Sequence, residues 1–239
     1  MSSPVFAKRG YTGPYVEMLQ RRLRKELGDP SLADDGVFGS KTEEAVKIFQ
    51  SSRYLEADGL VGEFTDACLF GRNLDKLRKV PKHVHQGDAM RCWAAATESW
   101  LTARAGRRPV PQKDIVDLLV ADRGARASDG ALIIPLGQGL WEGYFGLSPI
   151  AIAAADFTAE SCVRRMAMFG PLMLGSRSHG VAGHVQVMWG VRVRGGYPQI
   201  EVVDPLTTSS APVTLSVVSI RSYSGGFTVW VPTRLPLLT

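Results

Sequence analysis

His85-Gln86-Gly87-Asp88-Ala89-Met90-Arg91-Cys92-Trp93-Ala94-Ala95-Ala96 decides how the rest of the chain is read. A cysteine followed by small, helix-favouring residues predicts a thiol at the start of a helix. Free N–H groups and the positive end of the helix dipole stabilise a thiolate there and make the sulfur nucleophilic. Gln86 lies six residues before Cys92. From that position a side-chain amide can donate to the oxyanion formed when a thiolate attacks a carbonyl. A nucleophile of this kind needs a base, and the base needs an acceptor that orients it.

The chain of 239 residues is long enough for one large domain or two small ones, with ordinary apolar content for a globular core. No run approaches the roughly 18 uninterrupted apolar residues of a membrane-spanning helix, so membrane insertion is not expected. Met1 to Gly10 show no basic segment followed by an apolar run, so a standard secretory signal is absent or already removed. The net charge is +5. Up to Val80 there are 13 basic and 12 acidic side chains, and beyond it 15 and 11. The excess is scattered, which argues against a nucleic-acid face, while a mild preference for an anionic wall or membrane surface stays open. Three cysteines, Cys68, Cys92 and Cys162, are too few for a disulfide framework. Cys68 and Cys162 fall on apolar helix faces and read as buried structural thiols.

The first eighty residues contain an internal repeat. Leu32-Ala33-Asp34-Asp35-Gly36-Val37-Phe38-Gly39-Ser40-Lys41-Thr42 is matched 23 positions later by Leu55-Glu56-Ala57-Asp58-Gly59-Leu60-Val61-Gly62-Glu63-Phe64-Thr65. Asp-Gly predicts a tight turn and the second Gly opens a helix. A preceding helix carries Val16, Leu19, Leu23 and Leu27 at spacings of three and four and stops at Gly28-Asp29-Pro30. These segments predict a small three-helix module. The strings Val16-x-x-Leu19-Gln20-x-x-Leu23, Asp35-Gly36-x-Phe38-Gly39-x-x-Thr42-x-x-Ala45-Val46-x-x-Phe49-Gln50 and Asp58-Gly59-x-Val61-Gly62-x-x-Thr65 resemble the peptidoglycan-binding domain 1 family. That resemblance implies a non-catalytic wall-binding module. From the residues themselves, the Asp, Gly and Thr positions are best explained as turn and cap chemistry.

The expected division is 1–72 for this module, 73–81 for a charged linker containing Pro81, and 82–239 for a second domain. After Cys92 the pattern predicts helices to about Ala105, over Gln112 to Ala121, less clearly over Leu136 to Phe145, and after the cap Thr158 to Gly170-Pro171. Strands are predicted at Leu172–Leu174, His184–Val193, Ile200–Val203 and Phe227–Val231. Helices first and strands afterwards make the fold α+β.

Four histidines could serve Cys92 as base: His83, His85, His179 and His184. His184 is preferred because it opens an apolar strand directly after Gly183, and a rigid strand positions a base better than a loop tip. His179, in the loop Ser176-Arg177-Ser178-His179-Gly180, is the reserve. The chain's single asparagine is Asn73, in the linker. Asp204, at the end of the strand Val202-Val203, is therefore the candidate to accept from the imidazole and fix its tautomer. The order Gln86, Cys92, His184, Asp204, with Cys-Trp-Ala-Ala-Ala, Gly170-Pro171, the Gly-His strand and Val203-Asp204-Pro205, resembles the papain-like cysteine peptidases, in particular bacterial papain-like and C39-like enzymes. The resemblance covers roughly residues 82–232. It implies a helical lobe and an antiparallel β lobe with a cleft between them, and thiolate attack through an acyl-enzyme. Asp in place of Asn as third member departs from papain itself. Neither a cofactor nor a metal is expected, because no phosphate loop or paired ligand spacing occurs.

Three functions follow as expectations. The first is a hydrolase that cuts peptide bonds in peptidoglycan stem peptides, exported without a standard signal to the periplasm or cytoplasm of a target cell. The second is a toxic protease acting on a protein of a rival cell, with the N-terminal module used for docking or delivery. The third is a binding protein with a decayed site, which the complete set of four residues disfavours. A monomer is expected, with an immunity or inhibitor protein as a further partner to look for.

Overall fold

The two Asp-Gly turns are built alike, atom for atom. In a computed structural model that describes residues 4–87, 90–104, 106–133, 136–176, 183–217 and 227–232, each turn closes on a buried glutamine. Gln20 donates from Nε2 to Asp35 Oδ1 at 3.0 Å, the Val37 carbonyl at 3.0 Å and Thr42 Oγ1 at 3.1 Å, and accepts from Gly36 N at 2.9 Å. Gln50 makes the same four bonds, to Asp58 at 3.0 Å, Leu60 at 2.9 Å and Thr65 at 3.1 Å, and from Gly59 N at 2.9 Å. Gly36 and Gly59 adopt φ of 72° and 77°, a left-handed backbone that favours glycine. The repeated Asp, Gly and Thr residues thus have structural work within the turns.

Around these turns lie α1 (Pro14–Leu27), α2 (Ser40–Ser52) and α3 (Glu63–Phe70), with a short antiparallel pair of β1 (Val5–Ala7) and β2 (Val61–Gly62). The stretch read as a linker contributes β3 (Leu74–Leu77), which pairs antiparallel with the later strand β6 (His184–Arg194). Leu74 and Lys76 alternate with exposed Asp75 and Leu77, so the strand is short, charged and half-buried, a pattern that composition alone assigns to a loop.

The rest of the chain is mixed helix and antiparallel sheet, as expected for α+β. Its helices are α4 (Cys92–Thr102), α5 (Gln112–Ala121), α6 (Leu136–Phe145) and α7 (Ala159–Phe169), and its strands β4 (Leu147–Ile152), β5 (Leu172–Ser176), β6, β7 (Tyr197–Val203), β8 (Val213–Ser216) and β9 (Phe227–Pro232). The sheet order is β4-β9-β5-β6-β7-β8, with β3 on β6 beyond the end of β5. Strands β4 and β8 were not anticipated. Pro149 and alternating half-exposed residues weaken the strand pattern of β4, and β8 is only four residues long. Helix α6 forms despite its glycines because Gly137 packs on the backbone of Gly124, where a Cβ would lie 1.8 Å from the carbonyl oxygen.

Both faces of the sheet are covered. Met173, Val185, Val187, Trp189, Val203 and Trp230 pack with α4, α5 and α6 in one apolar cluster. Leu172, Leu174, Met188, Val191, Val193, Ile200, Val202, Val229 and Val231 pack with α7 and share a second cluster with Leu19, Leu23, Phe49, Phe64 and Leu69 of the N-terminal helices. A register shift between Met188 and Gly190 lets odd-numbered residues of β6 change faces, from Val185 and Val187 on one to Val191 and Val193 on the other. The N-terminal helices are thus packed against the sheet rather than tethered to it. At this junction Glu56 N donates to Glu160 at 3.2 Å, and Arg164 Nη1 donates to Glu56 at 2.8 Å. Burial lifts the Glu160 carboxyl to about 7. No helix among the described residues is long and apolar enough to cross a membrane.

Candidate active site

Cys92 is the first residue of α4 and is buried to 8% exposure. The first-turn N–H groups of a helix have no intrahelical acceptor, so the sulfur sits at a locally positive helix end. Its Sγ–H donates to the Gly183 carbonyl at 3.8 Å, which brings the chain just before β6 against the thiol. The next residue is His184, close enough for the Cys92 sulfur to help raise the imidazole pKa. Its Nε2 lies 2.7 Å from Asp204 Oδ1.

The strand register explains this line of three. β6 and β7 run antiparallel with Val187 opposite Val203. One step further puts Gln186 opposite Asp204, and His184 lies two residues beyond Gln186 on the same side of β6. β7 ends at Val203, and Pro205, which lacks the N–H for a ladder bond, keeps it from continuing past Asp204. Leu206 N donates to Asp204 Oδ1 at 2.9 Å, closing an Asx turn that points the carboxylate back along the strand.

Burial disfavours the charged imidazole, yet the hydrogen bonds and charges of Asp204 and Cys92 outweigh it and raise the His184 pKa from 6.5 to about 9. Burial also opposes the Asp204 anion, but His184, the Leu206 N–H and Gln186 hold its pKa below the usual 3.8. A raised histidine pKa stabilises the fold fully below pH 6.5, and that contribution is lost as pH rises through about 9. A depressed aspartate pKa contributes above pH 3.8 and is lost as pH falls below it. The urea midpoint should therefore fall between pH 6.5 and 9, and Asp204→Ala should flatten that fall. A midpoint that declines equally in both proteins would refute the coupling.

Gln86 is buried, and its backbone N–H donates to the Pro205 carbonyl at 2.9 Å. Gln112 Nε2 donates to the Gln86 carbonyl at 3.2 Å. His83 Nε2 lies 3.0 Å from the Asp204 carbonyl and 3.2 Å from Thr207 Oγ1. The segment that carries Gln86 is thereby pinned to the turn that carries Asp204. The structure brings Cys92, His184 and Asp204 together: Cys92 bonds the Gly183 carbonyl next to His184, His184 bonds Asp204, and the Gln86 backbone bonds the Pro205 carbonyl next to Asp204. His179 lies outside the described residues. Gln186, which donates from Nε2 to Asp204 Oδ2 at 2.7 Å, was not anticipated, nor were Thr207 and the contact of His83 with the Asp204 carbonyl. The signal for Gln186 was its place two residues after His184 on a strand; His83 and Thr207 had none.

Cys68 and Cys162 are buried in the core, and burial pushes both thiols up to about 12. Among the described residues no group of three His, Cys, Asp or Glu side chains is placed to hold a metal ion.

A thiol at a helix start, beside a strand whose histidine is bonded to a carboxylate, is an arrangement suited to a papain-like cysteine hydrolase. The chain belongs to the family of the papain-like cysteine protease AvrRpt2, whose family model matches residues 75–222. Residues 12–69 match the putative peptidoglycan binding domain. No curated protein matches the chain.

Proposed function

We propose that the protein is a thiol peptidase that cleaves peptide bonds in peptidoglycan stem peptides, with Cys92 as nucleophile, His184 as base and acid, Asp204 as orienting acceptor and the Gln86 amide as oxyanion donor. Cys92 Sγ attacks the scissile carbonyl while His184 holds the thiol proton. The oxyanion lies against the α4 N-terminus and the Gln86 amide. Collapse of the tetrahedral intermediate passes the proton from His184 to the leaving amine and leaves an acyl-enzyme. His184 then takes a proton from water, which hydrolyses the thioester. In this reading α4–α6 and the antiparallel sheet are two lobes flanking the cleft, residues 82–239 are the catalytic domain, and residues 1–72 are a three-helix wall-binding domain.

The observation that carries the reaction is the placing of Cys92 at the start of α4, bonded to the Gly183 carbonyl next to His184, whose Nε2 lies 2.7 Å from Asp204 Oδ1. The wall substrate is favoured by the peptidoglycan-binding match at the N-terminus, in helices packed directly on the catalytic sheet. Delivery to a target cell and restraint by an immunity protein belong to the same reading. A second reading, cleavage of a protein target, is favoured by the protease family itself. Incubating purified sacculi with the wild type should release soluble muropeptides that Cys92→Ala does not release. Sacculi left intact, together with new protein termini in cells expressing only the active form, would replace the wall substrate by a protein.

A further inference from the structure

We propose that Gln186 is a positioning residue that sets the rotation of the Asp204 carboxylate, and through it the orientation and protonation of His184. The inference rests on the triad reading above and extends it by one residue.

A carboxylate at the end of a strand can rotate about its last bond, and only one rotation directs an oxygen at the imidazole. The two Asp204 oxygens have separate duties. Oδ1 receives His184 Nε2 at 2.7 Å and the Leu206 N–H at 2.9 Å. Oδ2 receives Gln186 Nε2 at 2.7 Å. The Leu206 bond fixes one oxygen as a pivot, and the Gln186 bond fixes the other, so the carboxylate plane is defined by two points. Gln186 can do this because strand alternation puts it on the same side of β6 as His184, and the β6–β7 register sets it opposite Asp204. It is neutral, so it holds the anion without competing for the charge that the imidazole needs. A lysine or arginine there would pair with Asp204 as an ion and depress its pull on His184. The backbone of the same turn is held separately, by His83 and Thr207 on the Asp204 carbonyl. Gln186 therefore acts on the side chain and not on the path of the chain.

The test requires no substrate. In Gln186→Leu, which keeps the side-chain bulk and removes the donor, the carboxylate is free to turn from Nε2. The His184 titration followed by imidazole NMR should fall from about 9 by about one unit, and alkylation of Cys92 by iodoacetamide at pH 7 should slow about tenfold. Gln186→Glu reads the same bond independently: with the introduced carboxyl protonated it can still donate, so alkylation should recover as pH is lowered, relative to Gln186→Leu. Thermal melting separates folding from positioning. A folded Gln186→Leu with an unmoved or upward-shifted His184 titration and unchanged Cys92 alkylation overturns the proposal. Asp204→Ala serves as the reference. If it too leaves His184 and Cys92 unchanged, the triad reading fails; if it lowers both while Gln186→Leu does not, only the role of Gln186 fails.

Discussion

Cys92→Ala should abolish hydrolysis, lowering kcat/KM at least about 10⁴-fold, because removal of the nucleophile leaves only oxyanion donors and binding to act. No other thiol can substitute. Cys68 and Cys162 are buried in the second apolar cluster and their pKa values are pushed to about 12, so neither supplies a thiolate at neutral pH. Iodoacetamide should accordingly label Cys92 more than tenfold faster than either of them at pH 7. The variant should fold, since the lost sulfur is one small atom at a helix start and α4 retains Trp93, Trp100 and Leu101 in its core face. Equal labelling of the three cysteines would instead support the reading of a binding protein with a decayed site.

The residues of the candidate site were legible in the sequence because they lie at element boundaries, where residue type and local pattern agree. Cys92 opens a helix of small residues, His184 opens an apolar strand after a glycine, and Asp204 precedes a proline that must end a strand. Each was visible without knowing its partners. Gln186 was hidden for the opposite reason. It sits inside a strand where alternation alone accounts for a polar residue, and only the pairing of β6 with β7 reveals that Asp204 lies opposite. His83 stands in a segment without regular pattern, and its bond to the Asp204 carbonyl depends on two loops meeting in space.

The N-terminal repeat shows the same contrast. Its turns were readable from Asp35-Gly36 and Asp58-Gly59, but the glutamines that close them, Gln20 and Gln50, lie on helices before each turn and carry no local turn signal. Residues 73–81 misled in the other direction. Charge and proline suggested a linker, yet Leu74–Leu77 complete the sheet beside β6, and Arg194 Nη2 bonds Asp75 at 2.6 Å. Edge strands need such charges, so polarity does not distinguish them from loops. The consequence is functional as well as structural. A module packed into the sheet's own core presents any ligand at a fixed place relative to Cys92, which a flexible tether would not do.

Trp141→Ala should cost about 3–5 kcal/mol, the largest stability loss expected from a single side chain near the site. Trp141 is 1% exposed on α6 and lies between two other indoles. Its centroid is 6.2 Å from Trp93, edge to face at 68°, and 5.1 Å from Trp230 at 57°. Its Nε1 donates to Thr97 Oγ1 at 2.8 Å, so one side chain ties α6 to α4 and to β9. Truncation opens a cavity that three elements border, and rigid neighbours on a helix and a sheet collapse into it only partly. The polar penalty is small by comparison, because Thr97 Oγ1 still donates to the Trp93 carbonyl at 2.6 Å. Against a total stability of about 5–15 kcal/mol for a domain, such a loss removes about a fifth or more. Trp93 directly follows Cys92, so the damage reaches the nucleophile. In urea titration the midpoint of Trp141→Ala should drop sharply, and Cys92 alkylation at 25 °C should slow by more than the unfolded fraction explains. Trp141→Phe, which keeps a ring between Trp93 and Trp230, should recover most of both. A loss below about 1 kcal/mol in the alanine variant would show that the indole stack does not hold α4, and that the position of Cys92 is set by the packing of α4 on β5 and β6 alone.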